Sequence, residues 1–256
     1  MRSTQPGVES NAPTPVIVVI PTYNERENLS RLVEEVLALG AGYRVLVVDD
    51  DSPDGTGRLA DELATLHPGR VDVLHRVEKQ GLGRAYVAGL CRALETDAQF
   101  IAQMDADHSH QPDDLARMVA TAQSEGSATG LVLGSRYVAG GSTHGWPWHR
   151  KLISRAGGIY AGIILGVPIR DLTGGFKVWR RETLRAIDLP SIHSDGYSFQ
   201  IETTYRALTK GYRVAQVPIT FTDRVAGKSK LSRSVVIEAV LMVWRLRIRQ
   251  LLRRPW

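Results

Sequence analysis

The chain has 256 residues, 43% hydrophobic and 23% charged, the composition of a folded soluble protein with room for one large α/β domain or two small ones. A single cysteine, Cys91, excludes an intrachain disulfide and fits a reducing compartment. The net charge of +5 is uneven: the segment from Arg224 to Arg254 carries nine Lys or Arg against one acid, Glu238, and this net +8 leaves the remaining chain at −3, which argues against a nucleic-acid-binding module with basic residues spread over its body.

In chain order, residues 1–15 have no apolar core, so they do not read as a signal peptide, and their Ser, Pro, Asn and Gly predict a disordered lead-in. VIVVI (16–20) and RVLVV (44–48) are β-branched runs bounded by turn signals and predict buried parallel strands. Between them Leu29, Leu32, Val33, Val36 and Leu37 fall on one helical stripe, which makes a right-handed βαβ unit. VDVLH (71–75) predicts a strand, and a helix follows from about Arg84 to Thr96, with Cys91 a buried, inert thiol. The strand entering FIAQMDADHSHQP (100–112) comes next, then a helical stripe of Leu115, Met118, Val119 and Ala122, then the strand GLVLGS (130–135). No repeat of fixed period and no linker before residue 220 interrupts the pattern, so a single doubly wound α/β domain with a mostly parallel sheet is expected.

Ligands of such sheets bind beyond the carboxyl ends of the strands. Three of these ends are unusual: PTYNE (21–25), DDDSPDGT (49–56) and MDADHSH (104–110). Asp, Ser, Pro and Gly make turns, but turns do not require seven carboxylates at one edge. Like charges so close repel, so a group of opposite charge is expected among them. Asp105 and Asp107, two apart at a strand end, suit Mg2+ or Mn2+ held together with a substrate diphosphate. His108 and His110 have no third His or Cys in reach and are read as loop or supporting residues, not zinc ligands. There is no GxxxxGK[ST] and no strand-adjacent GxGxxG; KQGLGRA (79–85) can bring its backbone close to a ligand, with Lys79 near negative charge.

The runs PTYNERENL, VVDDDSPDGT, KQGLGRAYVAGL, MDADHSHQPDDL, GSRYVAGG, RKLISRAGG, DLTGGFKVWRRE, GYSFQIE and DRVAGKSKL, in this order over residues 16–232, resemble the family 2 glycosyltransferases that make polyprenol-phosphate sugars, and among them the dolichol- or polyprenol-phosphate mannose synthases. The resemblance implies a GT-A fold over 16–232 and transfer of mannose from GDP-mannose to polyprenyl phosphate. By position it implies that Pro21, Tyr23, Glu25, Val48, Asp50, Lys79, Ala106 and Lys177 hold the nucleotide sugar, and that Asp105 and Asp107 hold metal and diphosphate. Arg136, Arg150 and Ser154 would bind the acceptor phosphate, and Arg224 and Lys230 would close over the substrates. Ser109 stands where the family often has a Gln as a further metal ligand. A polyprenyl-phosphate glucose synthase using UDP-glucose is the neighbouring alternative, since mannose and glucose differ at one hydroxyl. The chemistry agrees: an acceptor phosphate is already anionic and needs positioning arginines and a counter-charge for the leaving diphosphate more than a general base.

The acceptor class implies a bilayer, yet no run is long enough to span one. AGGIYAGIILGVPI (156–169) has 14 uncharged residues, below the roughly 17–25 of a span. VVIEAVLMVW (235–244) is shorter and precedes Arg245, Arg247, Arg249, Arg253 and Arg254. Residues 233–256 therefore read as a basic amphipathic segment on an anionic membrane surface, or as a terminal helix packed on the core with a solvated basic end. The first reading places the protein on the cytoplasmic face of the membrane, with a separate membrane protein as a candidate partner.

Overall fold

The computed structural model describes residues 13–223 and 233–252. The first half alternates strictly: β1 (Val16–Thr22), α1 (Arg26–Ala38), β2 (Tyr43–Asp49), α2 (Thr56–Leu66), β3 (Val71–His75), α3 (Leu82–Leu94), β4 (Phe100–Gln103), α4 (Pro112–Ser124) and β5 (Thr129–Ser135). The second half is less regular: β6 (Ser142–His144), α5 (Trp148–Leu165), β7 (Lys177–Arg180), α6 (Arg181–Ala186), α7 (Gly196–Thr209), β8 (Arg213–Pro218), β9 (Thr220–Thr222) and α8 (Arg233–Leu251).

Every residue of β1 is buried because helices cover both faces of the sheet. Alternate side chains go to opposite layers. Val16, Val18 and Ile20 meet the stripes of α1, α2 and α4, while Ile17 and Val19 meet α3, α6 and α7. The five α1 residues expected on one stripe are all buried, each contributing about 1.5–3 kcal/mol of apolar transfer. α4 opens with Pro112 in its first turn and Asp113 and Asp114 against the helix dipole. α3 begins at Leu82, two residues before the expected start, because Gly81, at φ 105°, makes the turn into it.

The main sheet has the order β3-β2-β1-β4-β7-β5-β8. It is mostly parallel, but β7 runs antiparallel to both neighbours, pairing Gln103 with Lys177 and Leu133 with Lys177. This reversal positions the site. The start of β7, not its end, lies beside the carboxyl ends of β4 and β5, so the segment Gly174-Gly175-Phe176 reaches the same sheet edge as the acidic strand exits. β6 and β9 form a small parallel pair above that edge.

A third core cluster joins α5, α7 and α8 through Ala161, Leu165, Ile201, Tyr205, Val243 and Leu246. α8 is thus packed on the domain along one face. Among the described residues, no helix is long and apolar enough to cross a membrane.

Candidate active site

A cavity of about 490 Å³ opens at the carboxyl edge of the sheet, a size suited to a small ligand. Its floor comes from the three acidic strand exits. Pro21, Tyr23 and Glu25 follow β1, Asp50 follows β2, and Asp105, Ala106 and Asp107 follow β4; all line it, as does Lys79. The Lys79 ammonium sits 3.3 Å from the centre of the Tyr23 ring, a cation–π contact at the cavity wall.

The seven carboxylates divide between cavity and scaffold. Asp49 is buried and accepts hydrogen bonds from Thr22 Oγ1 (3.0 Å), Ser52 Oγ (2.6 Å) and the Ser52 amide (3.1 Å). Asp54 accepts from the Thr56 amide and hydroxyl and from the Arg26 amide, and these bonds hold its carboxyl below the usual range despite partial burial. The turn-making reading is right for these two. Asp50 faces the cavity and is paired with Arg76. Burial raises its pKa, and Arg76 only partly offsets this. Arg76, on the exit of β3, was not anticipated.

Asp105 Oδ1 accepts the Tyr86 hydroxyl at 2.8 Å, and Asp107 Oδ1 accepts both the amide and the hydroxyl of Ser109, at 3.1 and 2.5 Å. Ser109 is buried behind Asp107 and does not line the cavity; it braces that carboxylate and is not placed as a separate ligand. His110 is buried, stacks on Phe176 at 4.5 Å and accepts the Asp105 amide at Nδ1. Burial lowers its pKa, so the ring is neutral, with its proton on Nε2. His108 takes the left-handed conformation and approaches Glu35. Among the described residues, no cluster of three or more His, Cys, Asp or Glu is spaced to hold a metal ion. Two oxygen-donor side chains facing a cavity fit Mg2+ or Mn2+, which complete their shells with water and substrate phosphate, and do not fit a zinc cage.

The opposite wall is cationic and aromatic. Arg136 is 7% exposed and forms a two-pronged pair with Asp171, Nε to Oδ2 at 2.8 Å and Nη2 to Oδ1 at 2.6 Å, with Nη2 also on Thr173 Oγ1 at 3.0 Å. Burial alone would lower its pKa, but Asp171 raises it further above its already high value. Its Nη1 group makes no hydrogen bond among the described residues, so a resident carboxylate occupies much of the guanidinium expected for the acceptor. Arg150 lies 4.1 Å from the centre of the Trp146 ring and donates to Asp223 at 2.9 Å; its buried Nε has no partner among the described residues. Trp146 and Phe221 complete this wall.

Three expected ligands stand elsewhere. Lys177 is fully buried with Nζ on Gln200 O and Thr203 Oγ1, both at 2.8 Å. Burial lowers its pKa well below the ordinary lysine value. It is a structural pin between β7 and α7, not a cavity cation. Val48 points into the core between β2 and α3, and Ser154, on α5, lies near Tyr137 and outside the cavity lining. Arg224 and Lys230 lie outside the described residues. The glycines of KQGLGRA do allow a close approach, but to the chain itself. A Cβ on Gly81 would lie 2.4 Å from Asp195 Oδ2, and the Gly83 amide donates to Asp195 Oδ1. Asp195, Tyr197 and Gln200 also line the cavity, and the Gln200 Oε1 atom is buried without a partner among the described residues. They fall in or beside GYSFQIE, a motif whose individual roles no local spacing revealed.

Residues 17–188 match the model of the Glycosyl transferase family 2. The chain is 47% identical over 233 residues to a polyprenol monophosphomannose synthase of Mycolicibacterium smegmatis, covering 90% of this chain and 87% of the relative. It is 46% identical over 230 residues to an undecaprenyl-phosphate mannosyltransferase of Micrococcus luteus, covering 90% and 93%. Among solved structures, glucosyl-3-phosphoglycerate synthase from Mycobacterium tuberculosis, in complex with Mn2+, UDP and phosphoglyceric acid, superposes with a TM-score of 0.66 at 19% identity, over 91% of this chain and 78% of that one. That likeness shows the fold, the expected GT-A arrangement. With the family model spanning most of the chain and relatives this similar, the chain belongs to glycosyl transferase family 2.

Proposed function

We propose that the protein moves mannose from GDP-mannose to the phosphate of a polyprenyl phosphate, inverting the anomeric carbon and releasing GDP. The observation that carries this reading is a cavity with carboxylates on one wall and arginines on the other. The names of the two mannosyl-transferring relatives support it.

Tyr23, with Lys79 against its ring, and Asp50 are the groups for the nucleoside, flanked by Pro21 and Glu25. Asp105 and Asp107 would hold a divalent metal ion, Mg2+ or Mn2+, which when bound offsets the charge of the leaving diphosphate. Arg150 binds the acceptor phosphate through charge-assisted hydrogen bonds, and Arg136 adds its remaining Nη1 donors from a guanidinium held rigid by Asp171. An acceptor oxygen forms the bond to the anomeric carbon, the carbon–oxygen bond to the diphosphate breaks, and the electron pair leaves with GDP. The attacking phosphate is already ionised, so no side chain need take a proton. The neutral His110 suits this, since it holds the Asp105 amide without adding charge. Because the acceptor is a membrane lipid, the enzyme works peripherally, at the cytoplasmic face.

Incubation with polyprenyl phosphate and a panel of labelled nucleotide sugars, followed by lipid extraction, tests this. Label should enter the lipid from GDP-mannose, disappear with EDTA and return with Mn2+. Label from UDP-glucose alone overturns the donor, and no labelled lipid from any donor overturns the reaction.

A further inference from the structure

We propose that Tyr86 is a positioning residue for the metal-binding end of the cavity: its buried hydroxyl ties one oxygen of Asp105 and leaves the other at the cavity edge as a fixed ligand. The idea rests on the reading that Asp105 and Asp107 hold a divalent metal ion, and it adds the group that aims the first of them.

Tyr86 lies in the second turn of α3 with none of its surface exposed. Its ring belongs to the apolar layer that holds Val19, Leu90, Ile101 and Phe199, and it lies parallel to the Phe199 ring with centroids 5.9 Å apart. Phenylalanine would serve that layer equally well. A buried hydroxyl costs stability unless it is hydrogen-bonded, and among the described residues the Tyr86 hydroxyl makes one hydrogen bond, to Asp105 Oδ1 at 2.8 Å. The layer explains the ring, and only Asp105 explains the oxygen.

The bond fixes Asp105 from a second direction. The Asp105 amide donates to His110 Nδ1 at 3.2 Å, so the main chain and the carboxylate are both held. Oδ2 stands at the cavity edge, 3.9 Å from where a Cβ on Gly175 would lie, and both residues line the cavity. The character of the donor matters as much as its place. Arg136 is held by a carboxylate that compensates its charge, whereas a phenol is neutral and orients Asp105 while leaving its negative charge for a cation. Asp107 is treated in the same way, its Oδ1 accepting the neutral amide and hydroxyl of Ser109. Neutral donors behind the ligating carboxylates lower the cost of ordering them around an ion and so raise its affinity.

The test uses the full chain with GDP, and Mn2+ as the probe, its free and bound forms read by electron paramagnetic resonance. Tyr86→Phe keeps the ring and removes the hydroxyl. Its Mn2+ affinity should fall on the order of tenfold, while GDP affinity in EDTA stays at the wild-type level, which shows that the variant folds. In turnover, the Mn2+ concentration for half-maximal transfer should rise by the same factor, and kcat at saturating Mn2+ should be largely restored. Tyr86→Met, also apolar and without a donor, should behave alike and keeps the test decisive if the Phe variant does not fold. In an Asp105→Asn background, which itself weakens Mn2+ binding, Tyr86→Phe should add little further loss. Wild-type Mn2+ affinity in the folded Tyr86 variants, with binding lost in Asp105→Asn, overturns the proposal alone. A loss fully additive with that of Asp105→Asn also overturns it, since the hydroxyl then acts elsewhere. Mn2+ binding that survives Asp105→Asn unchanged overturns the metal reading and the proposal with it.

Discussion

The acidic wall of the cavity is made at the exits of β1, β2 and β4, where three neighbouring parallel strands end together. The cationic and aromatic wall draws Arg136 from the end of β5, Trp146 and Arg150 from the entry to α5, Asp171 from the approach to β7, and Phe221 and Asp223 from β9 and its exit. On the first wall, short loops are laced by Asp49, Asp54, Ser52 and Thr56, so each functional carboxylate has neighbours close in sequence or one strand away. On the second wall the key pair spans 35 residues and the Arg150–Asp223 pair spans 73. On the acidic wall Asp49, Asp54 and Asp107 are held by hydroxyls and amides of nearby turns, whereas the cations of the other wall depend on distant carboxylates. The two walls should therefore fail in different ways.

The largest effect is expected at Asp107. Asp107→Asn removes a charged oxygen donor while keeping the shape that Ser109 braces, and transfer should fall about a thousandfold or more with an unchanged circular dichroism melt. Near-normal turnover by the folded variant would remove Asp107 from the mechanism. On the other wall, Asp171→Asn strands a buried guanidinium and should cost about 3–5 kcal/mol of stability, read as a lower denaturant midpoint. A melt like that of wild type would mean that Asp171 does not hold Arg136.

A reciprocal pair sharpens the contrast. Asp50→Ala should weaken GDP binding roughly tenfold and leave the Michaelis constant for a soluble acceptor phosphate nearly unchanged, and Arg150→Ala should do the reverse. Equal losses for both ligands in both variants would show that the walls do not divide the substrates.

The smallest effect concerns Lys177, which joins the two walls from below. Its folded pKa lies well below 10.5, so on lowering the pH the unfolded chain takes up a proton that the folded one does not. Stability is therefore lost as pH falls from about 10.5 toward the folded value. Lys177→Met removes this dependence, and its melting temperature relative to wild type should rise between about pH 10 and pH 7. A constant difference across that range would show that the buried lysine is charged.

Much of the donor wall was legible in sequence because β-strand exits are written locally: a β-branched run, then a turn with carboxylates. β1 to β5 and the cavity-facing Asp50, Asp105 and Asp107 follow from that pattern, and the family motifs add Tyr23 and Lys79. The roles carried over by the resemblance say nothing of what is packed around each residue. The resemblance implies a nucleotide-sugar role for Lys177, but β7 runs antiparallel and its side chain is covered by α7, where burial lowers its pKa well below the ordinary lysine value. Ser109 stands at a position where the resemblance implies a metal ligand, and its hydroxyl donates to Asp107. The pairing of Arg136 with Asp171 leaves no local mark, because Asp171 is 35 residues along the chain.

By itself the sequence determined the alternating α/β pattern, the acidic sheet edge and the concentration of net positive charge in the tail, because hydrophobic periodicity and turn chemistry act over a few residues. Tertiary structure alone decided the direction of β7, the pairing of Arg136 with Asp171, and which face of α8 packs inward. The last case shows the physical reason most plainly. A helix such as α8 that is apolar around much of its circumference carries no internal mark of which stripe is core, and only the meeting of Val243 and Leu246 with α5 and α7 buries one side and leaves Leu241, Trp244 and Ile248 exposed.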